Sequence, residues 1–259
     1  MLQQTQVSRV VSRYDRFLGR FPTPVACAAA PVADVIDEWA GLGYNRWALG
    51  LHRAACAVVE RHAGRIPDDL AALQALPGVG AYTARAVLAF AFEADVGVVE
   101  VNTARLLARA FAGRRLTAGE AQRLADDLVP PREGWAWNQA LLDVGAVMCG
   151  KRAQACGDCP VRPWCAWSAG GRAGPDPAEG SAGTGSRQSV FAGSDRQGRG
   201  RLVDALRQGP VPADDVPATA GWPDDPERAR RVAAGLVADG LVVASVEDGS
   251  LRLPGWPSP

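Results

Sequence analysis

Lysine is almost absent from this 259-residue sequence: among 28 basic residues, only Lys151 is a lysine. An arginine side chain cannot serve as an amine nucleophile, so a Schiff-base mechanism would have to use Lys151. Net charge is absent too, because 28 acidic residues balance the basic ones. No overall field therefore draws the chain to a polyanion, and any affinity for nucleic acid has to come from local groups.

Long apolar runs are also lacking. Charged residues interrupt each apolar stretch well before the roughly 20 residues of a membrane span, and the N-terminus lacks a basic-then-apolar signal pattern. We therefore expect a soluble, cytoplasmic protein with no membrane partner. Its length allows one core of about 150–200 residues and a smaller second unit.

Strand-like alternation is nearly missing from residues 1–168, where apolar residues recur at helical spacing. The pattern predicts helices over 2–21, 32–40, 46–62, 68–75, 81–92, 102–112, 117–128 and 135–147. The stretch 169–187, rich in Gly, Ala, Ser and Pro, has little to bury and is typical of a linker. Helices over 197–208 and 226–239 and a hairpin around Asp248-Gly249 then predict a small winged-helix-like unit.

Four of the six cysteines are clustered, with the spacing C-x6-C-x2-C-x5-C: Cys149, Cys156, Cys159 and Cys165. In a cytosolic chain such clustering indicates a metal centre and not disulfides. Both tetrahedral zinc and a 4Fe-4S cube are candidates. Zinc sites usually contain two C-x2-C-like cysteine pairs separated by a longer spacer, whereas this run contains one such pair.

The string L-P-G-V-G-A-Y-T-A lies between two predicted helices, at residues 76–84. Its two glycines permit positive φ and close backbone approach, and the next helix begins with unpaired N–H groups that face outward. This arrangement favours an anion site, with an ordinary turn as the alternative. The candidate phosphate-binding residues are Gly78, Val79, Gly80 and Thr83.

Two further positions, Glu100 and Tyr44, place a functional side chain at the boundary between a loop and a predicted helix. Glu100 follows two buried-type valines and precedes Asn102, which we expect to cap the next helix. Tyr44 ends the glycine turn G-L-G-Y, where an aromatic ring would insert into DNA or pack between helices.

Together with the N-terminal M-L-Q-Q-T-Q-V, these motifs resemble the MutY-type adenine DNA glycosylases of the endonuclease III superfamily. The resemblance covers residues 1–168, with a weaker likeness to actinobacterial members around residues 194–197. It implies a mainly α, helix-hairpin-helix DNA glycosylase fold. The expected parts are a six-helix barrel (1–99), a helical 4Fe-4S cluster domain (100–168), a flexible linker (169–195) and the winged-helix-like domain (196–259).

The resemblance also implies a function in base excision repair: removal of adenine mispaired with 8-oxoguanine in double-stranded DNA, by a monomer associated with the nucleoid. It assigns the 4Fe-4S cluster to the four clustered cysteines. Intercalating or minor-groove contacts fall to Gln3, Gln4 and Tyr44, and phosphate contacts to Lys151 and Arg152. Tyr82 matches a position that some members fill with an active-site tyrosine.

Breaking the N-glycosidic bond requires a carboxylate near the sugar and a proton donor at the base. The resemblance gives Glu100 the first role and makes Asn102 its hydrogen-bonding partner. The family carries an aspartate where Glu100 stands, and an ångström of misplacement costs on the order of 100-fold in rate. The family's general acid, a glutamate, lies two residues before the methionine that matches Met1.

We therefore expect Met1 to be an internal methionine of a longer reading frame, with an in-frame Glu two codons earlier. Little excision is expected from residues 1–259, and adenine removal from the extended chain. A catalytically inactive DNA-binding protein of the same fold is the main alternative. An endonuclease III-like lyase is disfavoured, since it needs an amine in the hairpin, where Tyr82 stands.

Overall fold

The computed structural model describes residues 1–2, 5–151, 154–181 and 190–256, and it is mainly helical. The α-helices are α1 (Val7–Arg20), α2 (Pro24–Ala29), α3 (Val32–Glu38), α4 (Arg46–His62), α5 (Leu70–Gln74), α6 (Ala81–Ala91), α7 (Val101–Leu106), α8 (Ala118–Asp127), α9 (Gly134–Asp143), α10 (Ala166–Ala169), α11 (Asp195–Leu206), α12 (Val216–Ala220) and α13 (Pro226–Ala238). The strands β1 (Val243–Ala244) and β2 (Leu251–Arg252) pair antiparallel. None of the helices in the described ranges has the length and apolarity to cross a bilayer.

Most predicted helices are present, and the differences have local causes. Helix α4 has the predicted limits, whereas α2 was missed because Pro22 and Pro24 were interpreted only as terminators. Pro24 instead occupies the first turn of α2, where a missing N–H costs nothing, and Thr23 caps the helix by accepting from the Ala26 amide. The predicted helices 102–112 and 135–147 each change to π-helical turns, at Leu107–Ala112 and Val144–Met148.

The described chain forms two compact units. Unit 1 contains residues 1–67, 75–78 and 188–259, and unit 2 contains residues 68–74 and 79–187. The four-part division expected from the sequence remains a prediction.

In unit 1 the C-terminal helices share one apolar core with α1, α3 and α4. Leu202, Leu206 and Leu236 are fully buried in the same cluster as Ile36. Arg207 reinforces the packing, because its guanidinium donates to the backbone carbonyl of Ile36 at 3.1 Å. Three helices, α11 to α13, precede the β1–β2 hairpin, whereas two were predicted there, because the short helix α12 was missed; the winged-helix-like assignment remains a prediction.

In unit 2 the helices surround two small cores, one around Leu107 and one around Leu106 that includes Cys149 and Cys165. The segment predicted as a linker contributes to this unit. Ala178 and Ser181 are buried, and the Ser181 hydroxyl accepts the backbone N–H of Leu116 at 3.0 Å. A composition poor in large apolar residues therefore did not prevent residues 176–181 from packing, since polar contacts hold them.

Candidate active site and DNA-contacting residues

Glu100 forms the N-cap of α7. Its backbone is extended, and one carboxylate oxygen accepts the amides of Asn102 at 2.7 Å and Thr103 at 2.9 Å. The prediction that Asn102 caps this helix is wrong: Asn102 is the second residue of α7. The glutamate side chain is long enough to fold back over the first turn, where the helix dipole favours its negative charge. The backbone therefore fixes the direction of the carboxylate.

Asn102 holds the second carboxylate oxygen. Its side-chain amide donates to Glu100 Oε2 at 3.3 Å, and its own Oδ1 accepts from Arg105 at 2.8 Å. Arg105 is buried and also donates to the carbonyls of Gly145, at 2.6 Å, and Cys149. Desolvation by burial lowers the pKa of Arg105, while the nearby Cys149 and Glu100 charges oppose that shift. One hydrogen-bond network thus runs from the Glu100 carboxylate to the backbone of Cys149.

Tyr82, the second residue of α6, lies close enough to Glu100 for their charges to interact. Burial raises the pKa of Tyr82, and the Glu100 carboxylate raises it further. The phenol therefore stays protonated at neutral pH and remains a hydrogen-bond donor. Of the three residues predicted to be catalytic, Asn102 and Glu100 are in direct contact, and Tyr82 is within electrostatic range of Glu100 with part of its side chain open to solvent.

In the predicted phosphate-binding hairpin, one of the two glycines has a positive φ. Gly78 has a φ of +78°, and a Cβ added there would lie 3.1 Å from the Cα of Gly50. Gly80 precedes α6 in an extended conformation without a side-chain cap, and a Cβ there would meet nothing within 4 Å. The first amides of α6 therefore start beside open space, as an anion site requires.

The glycine turn before α4 presents an aromatic pair. Gly41 and Gly43 have positive φ, and so does Tyr44 at +48°, an uncommon conformation for a bulky residue. The Tyr44 ring stacks on Trp47 with centroids 4.8 Å apart, and the side chain is 40% exposed. The two other predicted intercalating or minor-groove residues, Gln3 and Gln4, lie outside the described residues.

The four clustered cysteines line one cavity together with Leu106, Arg109 and Val161. All four are free thiols. Burial raises the pKa of Cys149, and a hydrogen bond from Arg109 to its sulfur, at 3.5 Å, opposes that shift. Lys151 is exposed in the first intercysteine loop, and its neighbour Arg152 lies outside the described residues.

Among the described residues, no three His, Cys, Asp or Glu side chains converge on a point where one metal ion could bind. The four cysteines that line the cavity are the residues that could hold a metal centre, and both zinc and an iron–sulfur cluster remain candidates for it.

Arg105, Arg109 and Asp176 were not predicted as site residues. Arg109 is 1% exposed and donates to Asp176 through two nitrogens, while it also donates to the Gly150 carbonyl at 2.8 Å. Arg105 and Arg109 are four residues apart on a predicted helix, so the sequence could have predicted that they lie on the same face of it. Asp176 had no such signal, since it lies 67 positions from Arg109.

Comparisons with known proteins bear on the family and the fold of the chain. The model of the HhH-GPD superfamily base excision DNA repair proteins matches residues 1–131. An adenine DNA glycosylase of Mycobacterium tuberculosis (strain H37Rv) is 40% identical over 262 residues, covering 98% of this chain and 83% of the relative. A thermostable thymine-DNA glycosylase structure has a TM-score of 0.59 and 26% identity, covering 65% of this chain and 80% of its own. An endonuclease III in a non-covalent DNA complex has a TM-score of 0.56 and 22% identity, covering 63% and 78%.

The helical fold, the hairpin and the matched region define a base excision DNA glycosylase. The predicted activity class, hydrolysis of an N-glycosidic bond in DNA repair, is thereby confirmed. Within the HhH-GPD superfamily, the chain belongs to the MutY-type adenine DNA glycosylases.

Proposed function

We propose that this chain removes adenine paired with 8-oxoguanine in double-stranded DNA. The observation that carries the proposal is the Glu100 carboxylate, which Asn102 and the first turn of α7 hold beside the protonated Tyr82. The relatives that match nearly the whole chain are named adenine DNA glycosylases. The substrate would bring the protein to the nucleoid, where we expect it to act as a monomer.

Glu100 would act on the sugar. As the bond to adenine breaks, positive charge develops on the sugar ring, and a fixed carboxylate lowers the energy of that charge. The hydrogen bonds from Asn102 and the α7 amides hold the carboxylate in a fixed orientation. Tyr82 would donate a hydrogen bond from its phenol to the substrate or to the attacking water. Neither Glu100 nor Tyr82 is proposed to protonate the leaving adenine.

Binding would use the two glycine turns. The open N-terminus of α6, with Gly78, Val79, Gly80 and Thr83, would hold a DNA phosphate. Tyr44 would insert where the target nucleotide leaves the stack, because flipping a base leaves a gap that an aromatic ring can fill. Gln3 and Gln4 are proposed to contact the same region of the duplex.

We also propose that Cys149, Cys156, Cys159 and Cys165 hold a 4Fe-4S cluster. When bound, such a cluster cross-links the surrounding loops and can undergo redox chemistry. Arg109 would donate to the Cys149 thiolate, and Lys151 and Arg152 in the first loop would contact phosphate. Anaerobic reconstitution with iron and sulfide should give a coloured protein with about four irons per chain. A colourless protein that binds one zinc instead would contradict this assignment.

A single-turnover assay tests the activity. The substrate is a duplex with adenine opposite 8-oxoguanine, and the matched control has the same adenine opposite thymine. The proteins are residues 1–259 and the chain extended upstream of Met1 in the same reading frame, each with Glu100, with E100Q and with E100D. We expect adenine release by the extended chain, its loss in E100Q, and activity in E100D, which restores the family's carboxylate.

The alternative, an inactive DNA-binding protein, has one observation in its favour: the Glu100 carboxylate caps α7, which is also a structural role. If the extended chain binds the mismatched duplex and releases no adenine with either carboxylate, the excision proposal fails. Equal binding of the mismatched and matched duplexes would also reject adenine opposite 8-oxoguanine as the substrate.

A further inference from the structure

Two tryptophan side chains of unit 2 have a buried N–H without an acceptor. Among the described residues, nothing accepts the indole N–H of Trp137 or of Trp167, although both nitrogens are shielded from solvent. Such a group is rare in proteins, because it gives up its hydrogen bonds to water and gains none in return. The surroundings of the two rings differ, and the difference indicates where one of them finds an acceptor.

Trp167 stands at the cavity of the clustered cysteines. It is the second residue of α10, two positions after Cys165, and it lines the cavity together with all four cysteines. Trp137 lies on α9, in a T-shaped contact with Phe111 whose ring centroids are 6.4 Å apart. It packs in the apolar core around Leu106 and is not among the described residues that line the cavity. Only one of the two N–H groups therefore belongs to a ring at the candidate metal centre.

The guanidinium of Arg109 connects the Trp167 ring to a cysteine sulfur. Its Cζ lies 5.0 Å from the ring centroid, within the range of a cation–π interaction, and one of its nitrogens donates to Cys149 Sγ at 3.5 Å. Asp176 holds this guanidinium with both carboxylate oxygens, and Arg109 is almost fully buried. The ring is therefore packed on a cation that is itself fixed beside Cys149.

Sulfur is the acceptor that this cavity can offer to the N–H. The four cysteines are free thiols in the structure, and a thiol sulfur is only a weak acceptor. Binding of a metal deprotonates the thiols, and the negatively charged sulfurs of a metal centre accept hydrogen bonds from nearby N–H groups. The unpartnered N–H of Trp167 thus fits a metal–sulfur centre held by these cysteines.

We propose that Trp167 donates its indole N–H to a sulfur of the metal centre that the four clustered cysteines hold. The proposal rests on the proposed 4Fe-4S cluster. A hydrogen bond to a cluster sulfur stabilises the more reduced, more negatively charged state, and it therefore raises the reduction potential. Trp167 tunes the centre in this role and is separate from the residues assigned to excision.

The test compares the reconstituted full chain carrying Trp167→Phe with the matched control Trp137→Phe. Each change replaces an indole of unit 2 and removes a buried, unpartnered N–H. A second variant carries benzothienylalanine at position 167, where sulfur replaces the N–H and the ring keeps its size. This variant separates loss of the hydrogen bond from loss of packing. Iron content and thermal melting check that each protein holds its metal centre and is folded.

Redox titration followed by electron paramagnetic resonance measures the midpoint potential. We expect both changes at Trp167 to lower it, so that the ratio of reduced to oxidised cluster at a fixed potential falls about 3- to 10-fold. A tenfold fall corresponds to about 59 mV for a one-electron couple. Trp137→Phe should leave the ratio unchanged. Equal shifts in Trp137→Phe and Trp167→Phe would overturn the proposal, since they would reflect altered packing of the unit.

A second readout detects the contact itself. In protein labelled with ¹⁵N at the indole nitrogens, pulsed electron paramagnetic resonance of the paramagnetic cluster should show coupling to an indole nitrogen. We expect this coupling to remain in Trp137→Phe and to disappear in Trp167→Phe. If the cluster forms but the coupling persists in Trp167→Phe, or both Trp167 variants keep the parent's midpoint potential, the hydrogen bond is rejected while the cluster assignment stands.

A protein that binds zinc instead of iron and sulfide would reject the proposed cluster, and the hydrogen bond is then tested on zinc. Because it would be donated to a zinc-bound thiolate, its loss should speed zinc release to a chelator about 3- to 10-fold in both Trp167 variants. Trp137→Phe should release zinc as the parent does. Equal release rates from all these proteins would overturn the role of Trp167 as well.

Discussion

Arg105 and Asn102, three positions apart on α7, are joined by a hydrogen bond of 2.8 Å from the guanidinium to the amide oxygen. Because arginine can only donate, this bond defines which end of the amide faces it. The amide nitrogen is therefore the end that faces Glu100, and it donates to the carboxylate. Arg105 thus orients the carboxylate without touching it, and is a positioning residue for the proposed reaction.

Substitutions that remove the hydrogen bonds orienting the Glu100 carboxylate should slow adenine release more than they weaken binding of the DNA duplex. We expect Asn102→Ala and Arg105→Gln to lower the single-turnover rate of adenine release about 10- to 100-fold, with little change in Kd for the duplex. Arg123→Gln, an exposed change on α8, is the control. A single-turnover rate that stays unchanged in both variants, or a Kd that rises as much as the rate falls, would reject the positioning role.

The two hairpin glycines should respond differently to the same substitution. Gly78→Ala introduces a Cβ at positive φ and 3.1 Å from Gly50, so we expect a loss of about 1–2 kcal/mol of stability. Gly80→Ala meets no atom and should fold normally. The alanine methyl group at position 80 would nevertheless lie beside the first amides of α6, where the phosphate is proposed to bind. We therefore expect Kd for DNA to rise about 5- to 10-fold. Thermal melting and anisotropy measure the two effects, and normal DNA binding by Gly80→Ala would contradict the phosphate site.

The sequence predicted those features of the fold and the site that depend on residues close together in the chain. Helical periodicity predicted α4 with its limits, and the family resemblance assigned Tyr82, Glu100 and Asn102 to one site. It wrongly favoured Asn102 over Glu100 as the cap of α7, because both side chains can accept backbone amides and only geometry selects one. The pattern over 197–208 predicted the helix that contains Leu202 and Leu206, but not that these residues pack with Ile36, since periodicity carries no information on the partner.

Glu38 should make part of the stability of unit 1 depend on pH. Burial alone would raise the pKa of Glu38, but hydrogen bonds from Arg16 and Arg20 outweigh it and the pKa is lowered from 4.5. A lowered carboxyl pKa stabilises the fold above the unfolded value, and that contribution is lost as pH falls through the folded value. Both arginines are 40% or more exposed, so we expect a modest contribution of about 1 kcal/mol.

Urea unfolding of the parent and of Glu38→Gln measures this contribution. The free energy of unfolding should differ between the two at pH 7, and the difference should shrink as pH falls below about 4.5. Asp204→Asn is the control, because Asp204 is 70% exposed in its pair with Arg207. A difference that stays constant down to pH 3 would show that Glu38 acts through packing and not through its charge.

Asp176 is expected to attach residues 176–181 to unit 2. It accepts from Arg109 with both carboxylate oxygens, and Arg109 is almost fully buried, so its removal would leave that cation without its carboxylate. We expect Asp176→Asn, measured on the reconstituted protein, to lower the free energy of unfolding by about 2–3 kcal/mol. Asp195→Asn breaks a more exposed pair, with Arg228, and should cost less than about 1 kcal/mol.

Limited trypsin digestion separates local release from a general loss of stability. Arg172 lies just before residues 176–181. Release of these residues should therefore expose the trypsin cleavage site after Arg172 while the rest of unit 2 stays folded. We expect early cleavage after Arg172 in Asp176→Asn and not in Asp195→Asn, under conditions where both proteins keep their helical circular dichroism. If cleavage after Arg172 is equally slow in both variants, the buried Ser181 and Ala178 hold the segment without the ion pair. The Asp176 contact would then serve mainly to neutralise Arg109 next to Cys149.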